Sequence, residues 1–259
     1  MSRCTSDRKP PSLVNCLGLL VLGAAVLLGS GCAVLPAAEP GSAVEAPGAA
    51  VEDPGPLTKS AQAAVTPDQA MRWLREGNER FVSGRPLQRN VYRRVMATSR
   101  DQYPFASILS CTDSPSSPEQ VFDQSVGDVF SVRVAGHVVN RDVLGSLEYA
   151  SKVGGAHLIV VLAHTHCSTV RDACDGKSLG NMASVVHALQ PAVRNAKTGL
   201  AATRTREDLV RAATLENVRH SVRRILEESP VLRELVQQRR LAVVGAVLDE
   251  EAGTVSFEP

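Results

Sequence analysis

The sequence predicts an α/β domain, a short and mainly parallel β-sheet flanked by helices. Three observations carry that expectation. Near-continuous apolar runs recur at 105–109, 129–134, 158–162 and 241–247, as strands buried on both faces of a parallel sheet require. Amphipathic stretches at 142–153, 180–196 and 206–228 alternate with them, the pattern of a sheet covered by helices. The ordered part opens on Thr66-Pro67-Asp68-Gln69, where an N-cap precedes a proline at the first helical position and an acid in the first turn.

Taken in chain order, the N-terminus carries Arg3, Arg8 and Lys9, followed by an uncharged stretch over 10–38 that ends its apolar part in Leu28-Gly29-Ser30-Gly31-Cys32. A basic head, an apolar middle and small residues before a cysteine resemble a bacterial lipoprotein signal peptide over 1–32. That resemblance implies cleavage before Cys32, lipidation of Cys32, and an exported protein held on a membrane in the cell envelope, on its periplasmic side or outer surface. Gly29 stands where a larger apolar residue is usual. An uncleaved anchor, for which the stretch approaches the roughly 20 residues needed to span a bilayer, and plain secretion remain as alternatives. All three place the domain outside the cytoplasm.

Residues 33–65 carry Ala, Pro, Gly and Glu without apolar periodicity and read as a disordered tether. The folded domain is therefore expected over 66–259. Its first helix sets Met71, Trp73, Leu74 and Phe81 at helical spacing, with Gly84 beyond its end.

Length and composition bound the function. The chain has 259 residues, 44% of them apolar, enough for one domain with a sizeable core. Its 28 basic and 27 acidic residues nearly cancel, so nothing supports nucleic-acid binding, which needs a clustered basic excess. Six cysteines in an exported protein normally suggest three disulfides. Here Cys4, Cys16 and Cys32 fall in the export segment, leaving Cys111, Cys167 and Cys174. An odd remainder, two of them near a histidine, favours metal.

The informative residues follow two of the expected strands. The first runs into Cys111-Thr112-Asp113 and the third into His164-Thr165-His166-Cys167. Ligands bind at the C-terminal ends of strands in open parallel sheets, so the two segments can converge. Two thiolates and one imidazole suit zinc with a fourth position to fill. Either short motif alone fits buried structural cysteines as well.

Context is more specific. Ser107-Ile108-Leu109-Ser110-Cys111-Thr112-Asp113-Ser114 is followed by Gly127-Asp128-Val129-Phe130 and Val132-Arg133-Val134-Ala135-Gly136. Then come Val143-Leu144-Gly145-Ser146-Leu147-Glu148-Tyr149-Ala150 and Ile159-Val160-Val161-Leu162-Ala163-His164-Thr165-His166-Cys167. This series closely resembles the β-class carbonic anhydrases, and the likeness reaches upstream to Gly77-Asn78-Glu79-Arg80-Phe81 and downstream to Glu216-Asn217-Val218 and Val244-Gly245-Ala246. It implies a Rossmann-like fold, assembly as homodimers or multiples of dimers, and reversible hydration of carbon dioxide to bicarbonate with one zinc ion per chain. Carried over by position, Cys111, His164 and Cys167 match the protein ligands, and Asp113 the aspartate beside the metal. Gln102 matches a glutamine that hydrogen-bonds bicarbonate, while Phe130 and Ala135 match apolar residues of the carbon dioxide pocket.

One departure bears on activity. The family reads Cys-Ser-Asp-Ser-Arg after the first ligand, and this chain reads Cys111-Thr112-Asp113-Ser114-Pro115. In open-site members that arginine holds the aspartate away from zinc, whereas Pro115 carries neither charge nor donor. An unrestrained Asp113 could close the zinc shell, which predicts weak turnover. Ser168 where glycine is usual and His137 where asparagine is usual are smaller departures. Three readings follow: an envelope carbonic anhydrase of reduced activity, a catalytically silent relative that keeps zinc for a structural or binding role, and a related lyase or hydrolase.

Overall fold

The computed structural model describes residues 53–201 and 205–258. The expected signal segment with Cys32, and the tether over 33–52, lie outside the described residues. One five-stranded sheet has the order β2-β1-β3-β4-β5. Its strands are β1 (Ala106–Ser110), β2 (Val129–Arg133), β3 (Leu158–His164), β4 (Ala242–Leu248) and β5 (Val255–Glu258). The first four pair in parallel and β5 runs antiparallel to β4. The four expected runs are β1 to β4. The four residues of β5 are too few to show a pattern of their own.

Around the sheet lie α1 (Lys59–Ala63), α2 (Pro67–Val82), α3 (Val91–Ala97), α4 (Pro118–Val121) and α5 (Arg141–Glu148), which runs on into a π turn at Tyr149–Val153. Beyond β3 come α6 (Ser168–Asp175), α7 (Met182–Gly199), α8 (Arg206–Glu228) and α9 (Pro230–Gln237). The Thr66 hydroxyl caps α2 by accepting from Gln69 N–H, and Thr205 and Asp208 cap α8 reciprocally. Among the described residues no helix is long and apolar enough to cross a membrane.

The strand side chains divide between two cores, which is why the runs read as continuously apolar. Ile108, Leu158, Val160 and Leu162 pack with Leu74 of α2, Val121 and Phe122. Leu109, Ile159 and Val161 face the other way, onto Leu144 and Leu147 of α5, Ile225 of α8, and Leu232 of α9. Helix α8 lies hard against β4: a Cβ on Gly245 would sit 2.3 Å from a Val218 methyl. The motifs around 217 and 245 are thus two sides of one close contact.

The tether ends sooner than its composition implies. Thr58 caps α1, and buried Gln62 donates to the carbonyls of Pro104 (2.6 Å) and Gly154 (2.7 Å). Asp53 pairs with Arg94, which also bonds Asp128 at 2.7 Å. Order over 53–65 rests on these polar side chains reaching distant partners and on Leu57 and Val65 packing against the core, and two isolated apolar residues leave no periodicity to read.

The strand order sets up the site. From β1 the chain winds outward to β2, then crosses back to β3 on the other side of β1. Such a reversal opens a crevice at the C-terminal ends of the two central strands.

Candidate metal centre

Cys111 follows the last residue of β1, and His164 is the last residue of β3. The register pairs Ser110 with Leu162, so both ligand segments leave the sheet side by side. Cys111, His164 and Cys167 are buried and Asp113 is half-buried. One donor atom from each of the four lies within 4.8 Å of all the others.

The spacing fits a tetrahedral cation. Two Zn–S bonds of ~2.3 Å at the tetrahedral angle set their sulfurs about 3.8 Å apart, and Cys111 Sγ lies 3.8 Å from Cys167 Sγ. That is far beyond the roughly 2.05 Å of a disulfide. Both ring nitrogens of His164 are buried without a well-directed hydrogen-bond partner. Buried nitrogens of that kind carry a cost that a cation on Nε2 relieves. The residues present fit zinc.

Electrostatics agree. The two thiols act as a pair: the bond from Cys167, aided by His164, holds Cys111 well below the usual thiol range. The same bond, with burial, pushes Cys167 up. A divalent cation between them favours both thiolates at once. Burial opposes charge on His164, yet the Cys111 sulfur and Glu250 outweigh it and raise its pKa. Glu250 Oε1 lies 3.1 Å from His164 Nδ1, bent off the N–H direction, and its Oε2 accepts from His166 N–H at 2.9 Å. A carboxylate behind a metal-binding imidazole orients the ring and raises its basicity. No sequence signal singles Glu250 out within Asp249-Glu250-Glu251.

The surrounding backbone is held from three sides. Arg133 donates to the carbonyls of Cys111 (2.9 Å) and Asp113 (2.6 Å), so it fixes the loop's main chain. Gly136 adopts a φ of 63° in the turn Ala135–His137 and points its N–H at Cys111 Sγ, 3.4 Å away. Asn217 of α8 donates to Gly136 O (2.9 Å) and to His137 Nε2 (2.7 Å). Full burial pushes the His137 pKa down to about 4 and keeps its imidazole neutral.

The Asp113 carboxylate is met by Ser168. Its Oγ lies 3.0 Å from Oδ2 and 3.3 Å from Oδ1, and its N–H donates to Oδ2 at 3.3 Å. Among the described residues no lysine or arginine reaches that carboxylate within 4.0 Å.

Other expected residues divide. Half-buried Ala135 opens the turn beside Cys111. Gln102 is exposed and precedes β1, at the end of that strand away from Cys111. Phe130 packs near the Tyr149 ring, 6.4 Å between centroids. A Cβ on Gly154 would sit 2.6 Å from its ring. Gln62 joins Gly154 to Pro104, so Gln102 and Phe130 share one end of the sheet, apart from this chain's own donor cluster. His166 is exposed, and Cys174 is a free thiol two turns beyond Cys167.

Comparison with known proteins gives one answer. The family model described as carbonic anhydrase matches residues 106–255. Carbonic anhydrase 2 of Mycobacterium tuberculosis is 37% identical over 210 residues, covering 74% of this chain and 97% of that protein. A carbonic anhydrase of Mycolicibacterium smegmatis is 42% identical over 120 residues, 46% of this chain and 58% of its own. Among solved structures, the β-carbonic anhydrase CafA of Aspergillus fumigatus superposes with a TM-score of 0.59 at 23% identity, over 65% of this chain and 83% of its own. The β-carbonic anhydrase CcaA does so at 0.56 and 24%, over 73% and 95%. With a Cys₂His donor set at the strand ends of this sheet, the chain belongs to the carbonic anhydrase family and folds as its β-class members do.

Proposed function

We propose that the protein catalyses the reversible hydration of carbon dioxide to bicarbonate, with one zinc ion held by Cys111, His164 and Cys167. The observation that carries this is the sulfur pair at tetrahedral spacing beside a buried imidazole, in a chain of this family. Zinc in such a site supplies an acidified water, its pKa lowered to about 7, as the nucleophile. The chain's own residues do the rest. Glu250 orients His164, Arg133 and Gly136 fix the Cys111 loop, and Asp113 stands at the mouth as a hydrogen-bond acceptor.

Stopped-flow hydration on zinc-loaded protein tests the reading, with the Cys111→Ser, Cys167→Ser double variant as reference. Turnover that needs both cysteines supports it. Proton release no faster than the buffer's, with stoichiometric zinc bound, refutes it. That outcome belongs to the second reading, a silent zinc-holding relative with a structural or binding role, which the loss of the arginine at Pro115 favours.

The protein works as a homodimer or a multiple of dimers, in which Gln102 and Phe130 of one protomer face the metal of its partner. Support comes from their distance from their own metal cluster and from exposed apolar residues, Tyr149 and Val153 near Phe130 and Tyr92 and Met96 on α3. A monomer by analytical ultracentrifugation at micromolar concentration sinks this. The protein is also exported and lipid-anchored through Cys32 to a membrane of the cell envelope, on the basic head, apolar run and small residues before that cysteine. Mass spectrometry of the mature N-terminus decides it, an unmodified start at another residue counting against it.

A further inference from the structure

We propose that Ser168 is the positioning residue for Asp113 in this protein, holding its carboxylate back from the metal in place of the arginine that Pro115 has displaced. The inference rests on the zinc-enzyme reading above. The sequence departs from the family at both positions, and the fold brings the consequences together. Pro115 follows Asp113 by two residues and offers no donor. Ser168 follows the ligand Cys167 directly and opens α6.

Three contacts make the case. The Ser168 hydroxyl reaches both carboxylate oxygens, at 3.0 and 3.3 Å, and the backbone N–H adds a third contact at 3.3 Å. That N–H belongs to the first turn of a helix, where it has no partner within the helix. Arg133 directs its Nε–H and an Nη2–H at the carbonyls of Cys111 and Asp113 and makes no ion pair with the carboxylate. Among the described residues no cationic side chain other than His164 lies within 4.0 Å of the carboxylate.

The carboxylate stands within reach of the metal. Two tetrahedral zinc ligands at ~2.0–2.2 Å put their N and O atoms about 3.3–3.5 Å apart, and Asp113 Oδ2 lies 3.6 Å from His164 Nε2, so the hydrogen bonds from Ser168 compete directly with ligation. A glycine at 168 keeps the N–H contact and loses both hydroxyl contacts. The carboxylate then has little to oppose its move onto the metal. Ser168 is exposed, so changing it leaves the core undisturbed.

The test uses full-length protein with cobalt(II) in place of zinc, titrated with thiocyanate and read in the visible d–d bands. This reports access to the fourth position without turnover. Wild type is expected to bind thiocyanate with a spectral shift. Ser168→Ala and Ser168→Gly are expected to bind it about tenfold or more weakly, the loss of a hydrogen bond to a charged group, and Ser168→Thr to restore wild-type affinity. Equal affinity in wild type, alanine and glycine variants overturns the proposal. So does a wild type that takes up cobalt but shows no thiocyanate shift, because Asp113 then already occupies the fourth position. Failure to take up cobalt in wild type overturns the metal reading itself, which separates the two.

Discussion

Replacing Asn217 by alanine should unseat the metal centre from a helix that contributes no ligand to it. Asn217 is 1% exposed, and its amide is the partner of two buried acceptors, Gly136 O and His137 Nε2. Stranding a buried acceptor costs about 1–3 kcal/mol, so the pair sums to about 2–6 kcal/mol, against the 5–15 typical of a whole domain. We expect about 3 kcal/mol, since alanine also leaves room for a water to recover part of the loss. The damage should pass to the metal, because the turn that Asn217 pins also directs Gly136 N–H at Cys111 Sγ. Outer-shell contacts of this kind are worth about 10–100-fold in metal affinity. Urea unfolding in a buffer of fixed free zinc gives the first number, and competition against a chelator the second. A loss below about 0.5 kcal/mol with unchanged zinc affinity would show that the turn is held by something else.

Removing the carboxylate in Glu250→Ala should weaken zinc by about 10–100-fold while the far-ultraviolet circular dichroism stays unchanged; unaltered affinity in chelator competition would relegate Glu250 to the surface. His137 adds an acid liability. Its pKa falls from 6.5 to about 4 in the folded state, so between those values only the unfolded chain takes up the proton and stability drops as pH falls. About 3 kcal/mol is lost across that window at 1.36 kcal/mol per pKa unit. His137→Asn, which suits the left-handed backbone there (φ 42°), should flatten the difference in urea stability between pH 7 and pH 4.5. Pro115→Arg should raise stopped-flow hydration at pH 7 relative to wild type, as a charge-assisted bidentate partner for Asp113 outcompetes a hydroxyl; a folded, zinc-loaded variant no faster than wild type would count against restraint of Asp113 as the limit on turnover.

What could be read beforehand follows from how local each signal is. Strands β1, β3 and β4 lie between two helical layers, so burial on both faces wrote itself into unbroken apolar runs. The cluster of Cys111, His164 and Cys167 was legible because zinc accepts few residue types and the sheet's crossover brings such residues together at strand ends. Helices α1, α3, α4, α6 and α9 were not legible, none exceeding eight residues, and α1 and α3 are held by side chains such as Gln62 and Arg94 with partners 42 and 34 residues away in the chain. The roles of Glu250 and Ser168 were hidden for the same reason. Glu250 serves His164 from 86 positions away and Ser168 serves Asp113 from 55. No window along the chain contains either pair. Arg133 does structural work that the motif alone does not reveal, holding the carbonyls of Cys111 and Asp113.

Distance along the chain also bears on what zinc does for the fold. The ligands Cys111 and His164 are 53 positions apart, and closing so long a loop through a metal ordinarily makes the metal a condition of folding. Here the loop is already closed. Ser110 pairs with Leu162 through the β1–β3 ladder, and Leu109 packs with Val161 in a core that contains no ligand. The sheet has therefore met the entropic cost before the cation arrives, and the ends of both strands are delivered to within bonding reach of one point. What remains for the metal to order is the short backbone beyond the strands, 111–116 and 165–168, where Arg133, Glu250 and Ser168 already act. A site prepared to this degree puts zinc's binding energy into its coordination geometry and little of it into assembly. The chemistry then turns on which group takes the fourth position, which in this chain is decided by the contact between Asp113 and Ser168.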